Sequence, residues 1–189
     1  MELEELLGKH REVYVNHFQN QKKICDGASE ALLEMKNEES EEIYRLYRFD
    51  CLGKNKDDSF EILEFNNDTY LDHMPIIFQD EELKIVLKPF FWNGCELYFD
   101  RNKNDFSEFI EWAKKWIDIN DSNSKDTTKE LTGLIHNVQR PELKQGEYCL
   151  AIDFGTSNTN SFMELFDVLK RMGIKSVRVE SKSMLEEEK

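Results

Sequence analysis

Long apolar runs are missing from this sequence. No window approaches the roughly 18 consecutive apolar residues that a membrane-crossing helix requires, so a membrane is not an expected partner. A basic surplus is missing too. Against 39 Asp and Glu stand 25 Lys and Arg, a formal net charge of −14. A field of that sign repels phosphate backbones, so nucleic acid is not expected either. The opening Met1-Glu-Leu-Glu-Glu-Leu-Leu7 has neither the basic start nor the apolar run of a signal peptide. Cysteine is sparse. Cys25, Cys51, Cys95 and Cys149 are scattered with no C-x-x-C pair, and three lie in apolar stretches, as buried free thiols do. A reducing cytoplasm is the compartment this predicts.

No repeat or low-complexity linker divides the 189 residues. One domain, 1–189, is therefore expected, with a helical N-terminal segment over 1–42 and an α+β body over 43–189. The 12% aromatic share is enough to build a core despite 34% charged residues. Leu3, Leu6, Leu7, Val13 and Phe18 make one helical stripe and Ala28, Ala31, Leu32 and Met35 a second, predicting two helices or one interrupted helix that ends in the acidic run Glu38–Glu42. Ile43–Leu52 and Phe60–Phe65 read as a hairpin around a polar turn. Leu83–Phe91 and Cys95–Phe99 read as another, around Asn93-Gly94.

Phe106, Phe109, Ile110, Ala113, Trp116 and Ile117 then give an apolar helix face, with Asp105 and Glu108 in the positions of a cap. Glu130–Val138 and Glu147–Phe154 predict strands joined through Pro141–Gly146. A helix faced by Phe162, Leu165, Phe166, Leu169 and Met172 follows, with Gly173 at its left-handed end and a strand at Ile174–Glu180. The sum is a mixed, mainly antiparallel sheet with helices packed on it.

Ala151-Ile-Asp-Phe-Gly-Thr-Ser-Asn-Thr159 resembles the first phosphate loop of the actin and heat-shock-70 ATPase superfamily. There the loop leads into a second strand. Here Ser161–Met172 has helical periodicity, and only 30 residues follow Thr159, too few for a second phosphate loop and an adenosine pocket. A structural loop is expected instead, with Asp153 ending a strand, Gly155 making the tight exit, and Ser157, Asn158 or Thr159 capping the next helix. His10, His17, His73 and His136 form no H-x-x-x-H or H-x-E spacing, so neither a metal nor a cofactor is expected. No catalytic residue is assigned.

Carboxylates cluster densely in two places. Glu96, Asp100 and Asp105 lie near Asn93-Gly94; Glu111 sits on the best helix, and Asp118, Asp121 and Asp126 line the loop after it. These, with Trp92 as an aromatic anchor, are the candidate partner-binding residues. Pro89–Leu97, Trp112–Asp118, Gly133–His136, Ile152–Ser157 and Glu164–Leu169, in that order, resemble a group of bacterial proteins of unassigned biochemical activity. By size, acidity and α+β make-up the chain also resembles the immunity proteins of contact-dependent inhibition and related polymorphic toxin systems. That resemblance implies a cytoplasmic partner, a cognate toxin domain with a basic, nuclease-like cleft, blocked directly by an acidic surface. The alternatives are a non-catalytic regulatory interaction module and a small hydrolase.

Overall fold

The computed structural model describes residues 2–23, 25, 27–36, 43–54, 59–65, 69–100, 105–122 and 131–181. The chain opens with helix α1 (Leu3–Lys22), followed by four short strands: β1 (Leu32–Lys36), β2 (Ile43–Arg48), β3 (Cys51–Lys54) and β4 (Phe60–Leu63). Next come β5 (Ile76–Asp80), β6 (Leu83–Leu87), a 3-10 turn at Trp92–Gly94, β7 (Cys95–Phe99) and helix α2 (Ser107–Ile117). The last third holds β8 (Asn137–Val138), β9 (Glu142–Lys144), β10 (Glu147–Asp153), helix α3 (Thr159–Arg171) and β11 (Ser176–Glu180).

The fold is α+β, as expected from the sequence. A seven-stranded sheet runs β5-β6-β11-β7-β10-β8, with β9 also on β10; only the β6–β11 pairing is parallel. Strand alternation sorts its side chains. Leu87, Val179, Leu97 and Leu150 are neighbours across four strands and are all buried. Arg178, Tyr98 and Glu96 point the other way, where Arg178 lies 4.6 Å over the Tyr98 ring.

Helix α3 buries the face expected of it, Phe162, Leu165, Phe166 and Leu169. Asn158 caps its first turn by accepting the Asn160 N–H at 3.0 Å. Gly173 takes φ +79 just past its end, letting Ile174 N–H close on Leu169 O. Helix α2 buries a rotated version of its expected face: Phe109, Trp112 and Ile117 point inward and Ile110 outward. Trp112 goes inside because its indole N–H finds Ser161 O at 3.0 Å. Asp105 does accept the Ser107 N–H, at 3.0 Å.

Other expectations need correction. Leu32–Lys36 is a strand paired with β2, not a helix, because Ser29 and Ala31 already join the sheet-forming backbone opposite Cys51 and Phe49. The long strand expected over Ile43–Leu52 breaks at Phe49-Asp50. Strands β6 and β7 form no hairpin: β11 lies between them, and Asn93-Gly94 belongs to the 3-10 turn. The hairpin in this region joins β5 to β6 instead. Two cysteines are not free thiols, since Cys25 and Cys51 are disulfide-bonded while Cys95 and Cys149 are free and buried. The acidic run Glu38–Glu42 lies outside the described residues. No helix among the described residues is long and apolar enough to cross a membrane.

Candidate functional site

Four charged or titratable residues from distant parts of the chain converge at one place. Asp50 sits at the break between β2 and β3, His136 just before β8, Asp153 at the end of β10, and Glu30 before β1. Each is carried there by flanking apolar residues that enter the core, among them Cys51, Ile135, Ile152 and Phe154. His136 is 1% exposed and Glu30 is fully covered. Imidazole Nε2 lies 3.1 Å from Glu30 Oε1, and Nδ1 lies 2.8 Å from Asp50 Oδ1. The second contact is an ion-pair distance without hydrogen-bond alignment, for neither atom has a hydrogen-bond partner among the described residues.

The carboxylates are oriented by the backbone and by hydroxyls. Glu30 accepts from Thr132 Oγ1 at 2.7 Å, from Thr132 N–H at 3.1 Å, and from Thr156 Oγ1. Asp50 Oδ2 accepts the Phe65 N–H at 2.5 Å. Asp153 Oδ1 accepts the Gly155 N–H at 2.8 Å. Gly155 has φ +50, and a Cβ there would stand 2.2 Å from His136 Cδ2, so glycine is required both by the turn and by the ring. Tyr14, on α1, points its buried hydroxyl at the same region without a hydrogen-bond partner among the described residues.

These surroundings set the protonation. Burial alone would depress His136, but Asp50 and Glu30, with Asp153 behind them, carry it well above the usual imidazole range. Burial would raise Glu30, and the His136 and threonine bonds outweigh it, leaving Glu30 at about 2. Burial raises Asp153 to about 7, with His136 opposing and Asp50 adding to the rise. Asp153 is half-buried and borders a cleft of about 300 Å³ lined also by Asn93, Glu96, Asn137 and Gln139.

Beside this knot, Arg48 is buried and donates to Glu30 O at 2.8 Å, Ile117 O at 2.8 Å, Asp118 O at 3.1 Å and Asp121 Oδ1 at 2.9 Å. The loop that resembles an ATPase phosphate loop is turned inward. Ser157 N–H serves Leu134 O and Phe154 O, and Thr156 Oγ1 receives the Gly133 N–H. The carbonyls of Thr156 and Ser157 accept from Arg11 of α1. The amides of Gly155 and Ser157 are spent on the protein itself, which suits the expected structural loop.

The candidate partner-binding residues are not gathered at one surface. Glu96 lies on β7 beside Asp153's cleft and accepts from Tyr98 Oη at 3.0 Å. Asp100 and Asp105 are exposed. Glu111 is 73% exposed on the rim of a groove of about 480 Å³ between α2 and α3, which also holds Glu108, Glu164 and Asp167. Asp118, expected on a solvated loop, is instead buried at 6%, with positive φ at the end of α2, and its carboxylate accepts from Ser122. Asp121 clasps Arg48. Asp126 lies outside the described residues. Trp92 is 1% exposed and cannot anchor a partner: its indole N–H donates to Gly155 O at 3.0 Å and its ring packs on Phe154. Glu30, Asp50 and His136 follow no motif spacing. The signal that marks them is a lone polar residue inside an apolar stretch, as in Phe49-Asp50-Cys51 and Leu134-Ile135-His136.

No protein-family model, no curated protein and no solved structure matches this chain.

Proposed function

We propose that this chain is a binding protein that neutralises a basic partner protein by direct complex formation, as the immunity proteins it resembles do with their toxin domains. One observation carries the reading. Well-exposed carboxylates such as Glu81, Glu111 and Glu142 lie on the outside of a chain with net charge −14, whereas Glu30 and His136 are buried and paired with each other. Such a distribution suits long-range attraction of a positively charged surface, where exposed charge raises the on-rate more than the affinity.

The proposed partner is a toxin domain with a phosphate-binding cleft, which an acidic surface occludes. A cytoplasmic setting belongs to this reading. The Cys25–Cys51 bond counts against that setting, because such bonds persist chiefly in oxidising compartments.

The test is co-expression with a candidate toxin domain taken from the product of the neighbouring gene, followed by stopped-flow association across a salt series. A one-to-one complex that restores growth, and whose on-rate falls steeply with added salt, is expected. A complex whose on-rate is flat in salt removes the electrostatic mechanism; no complex and no rescue removes the function.

A further inference from the structure

We propose that Asp50, His136 and Asp153 hold a divalent first-row metal ion of the zinc class, as a structural clamp joining the β2–β3 break to the β8 and β10 ends of the large sheet. This goes beyond the binding function and does not depend on it. One ligand atom from each of the three residues lies within 4.8 Å of the others. A tetrahedral site with bonds of about 2.0–2.1 Å needs ligand atoms about 3.3 Å apart, so closure takes only small side-chain shifts.

The hydrogen bonds are those of a metal site's outer shell. Glu30 faces His136 Nε2 and is itself fixed by Thr132 and Thr156. In metal sites a carboxylate on one ring nitrogen fixes the tautomer and turns the other nitrogen's lone pair on the ion. Here that other nitrogen, Nδ1, faces Asp50 Oδ1 at 2.8 Å without an aligned hydrogen bond. Without the ion the raised imidazole carries a proton on Nδ1 toward Asp50; a metal bound between them would take that proton's place. Asp50 and Asp153 each give one oxygen to a backbone N–H, from Phe65 and Gly155, which leaves the other for a ligand.

An independent observation is Tyr14. Its hydroxyl is buried, has no hydrogen-bond partner among the described residues, and stands within electrostatic range of Asp153, Asp50 and Glu30. A buried hydroxyl left without a partner calls for a ligand or for an ion's bound water. Charge points the same way. Three carboxylates surround one imidazole, and Arg48 spends its donors on backbone carbonyls and on Asp121. One imidazole with two carboxylates suits zinc, manganese or ferrous iron better than a soft-ligand metal. The cleft beside Asp153 is the entry path.

The experiment uses the full chain, freed of metal with a chelator and titrated with Zn²⁺ by calorimetry, with the thermal midpoint followed in parallel. One equivalent bound and a midpoint that climbs with Zn²⁺ concentration are expected, with affinity reduced at least tenfold in Asp153→Asn and unchanged in His73→Ala. X-ray absorption of the zinc-loaded wild-type chain should show one imidazole among oxygen ligands, a readout that stands even if Asp153→Asn fails to fold. No stoichiometric zinc, or an adventitious ion only, marked by affinity that follows His73 or by two imidazoles at the metal, overturns the proposal.

Discussion

Two ion pairs, one inside and one outside, divide the molecule. Arg48 is sealed where β2, the 131–136 segment and the end of α2 meet, and its donors reach three backbone carbonyls and Asp121. Lys114 and Glu111 form their 2.9 Å pair on the outer side of α2, half or more exposed. Both are a cation beside a carboxylate. The difference is what replaces them when they are lost: water solvates the outer pair, whereas it reaches the Asp121 end of the inner one but not the Arg48 guanidinium. Charge density in the composition therefore says little about which charges hold the fold.

Arg48→Met against Lys114→Met tests that contrast most directly. The first leaves the carbonyls of Glu30, Ile117 and Asp118 without their donor and should cost about 3–5 kcal/mol, while the second should stay within about 0.5 kcal/mol. Urea denaturation of both variants measures it. Equal losses would mean that the inner knot is open to water.

The disulfide ties the inner region further, since Cys51 adjoins Asp50. Its 26-residue separation corresponds to about 3.5 kcal/mol of loop-closure entropy removed from the unfolded chain. Reduction, or Cys25→Ser, should lower the thermal midpoint by about 7–14 °C for a chain of this size. A midpoint indifferent to reductant would show that packing at Gly27 and Leu52 holds this corner unaided.

Acid should act through α1. Buried His10 has Nδ1 at 3.1 Å from Phe90 O and Nε2 at 3.0 Å from His73 Nε2, and burial, aided by His73, lowers its pKa from 6.5 to about 4. Between those values the unfolded chain binds the proton and the fold does not. The contribution is thus complete above pH 6.5 and disappears as pH falls through 4, a loss of about 3 kcal/mol. His10→Phe, which keeps the stacking on Phe90, should flatten this part of the stability profile; a profile with the same slope in that variant would assign the acid sensitivity elsewhere.

Much of the scaffold is legible in the sequence because it follows periodicity. The face of α3, its Asn158 cap and the Gly173 stop are all local, and each appears where local pattern places it. Pairing is not local. Strand β11, Ser176–Glu180, enters between β6 and β7 from the far end of the described chain, and no turn signal announces that Asn93-Gly94 joins strands that never meet. The knot was hidden for the same reason: Glu30 and His136 are 106 residues apart and meet through long-range packing. Crowding of carboxylates suggests a solvated face for Asp118 and Asp121, whereas they close the end of α2 around Arg48, Asp118 through its backbone carbonyl and Asp121 through its carboxylate.

The smallest structural effect carries the most functional information. Glu111→Lys exchanges a 73% exposed carboxylate for a cation beside Lys114 and Lys115, and its cost to stability should be at most about 0.5 kcal/mol. If a basic partner is drawn in by the outer carboxylates, the same change should lower its association rate severalfold at low salt and lessen the rate's dependence on salt, while dissociation stays near the wild-type value. An effect on dissociation alone would instead put Glu111 within a packed contact, and no kinetic change would move the attracting surface away from the α2–α3 side. The interior should be silent in this assay, because charges fixed by Arg48 and His136 do not change when α2's outer face does.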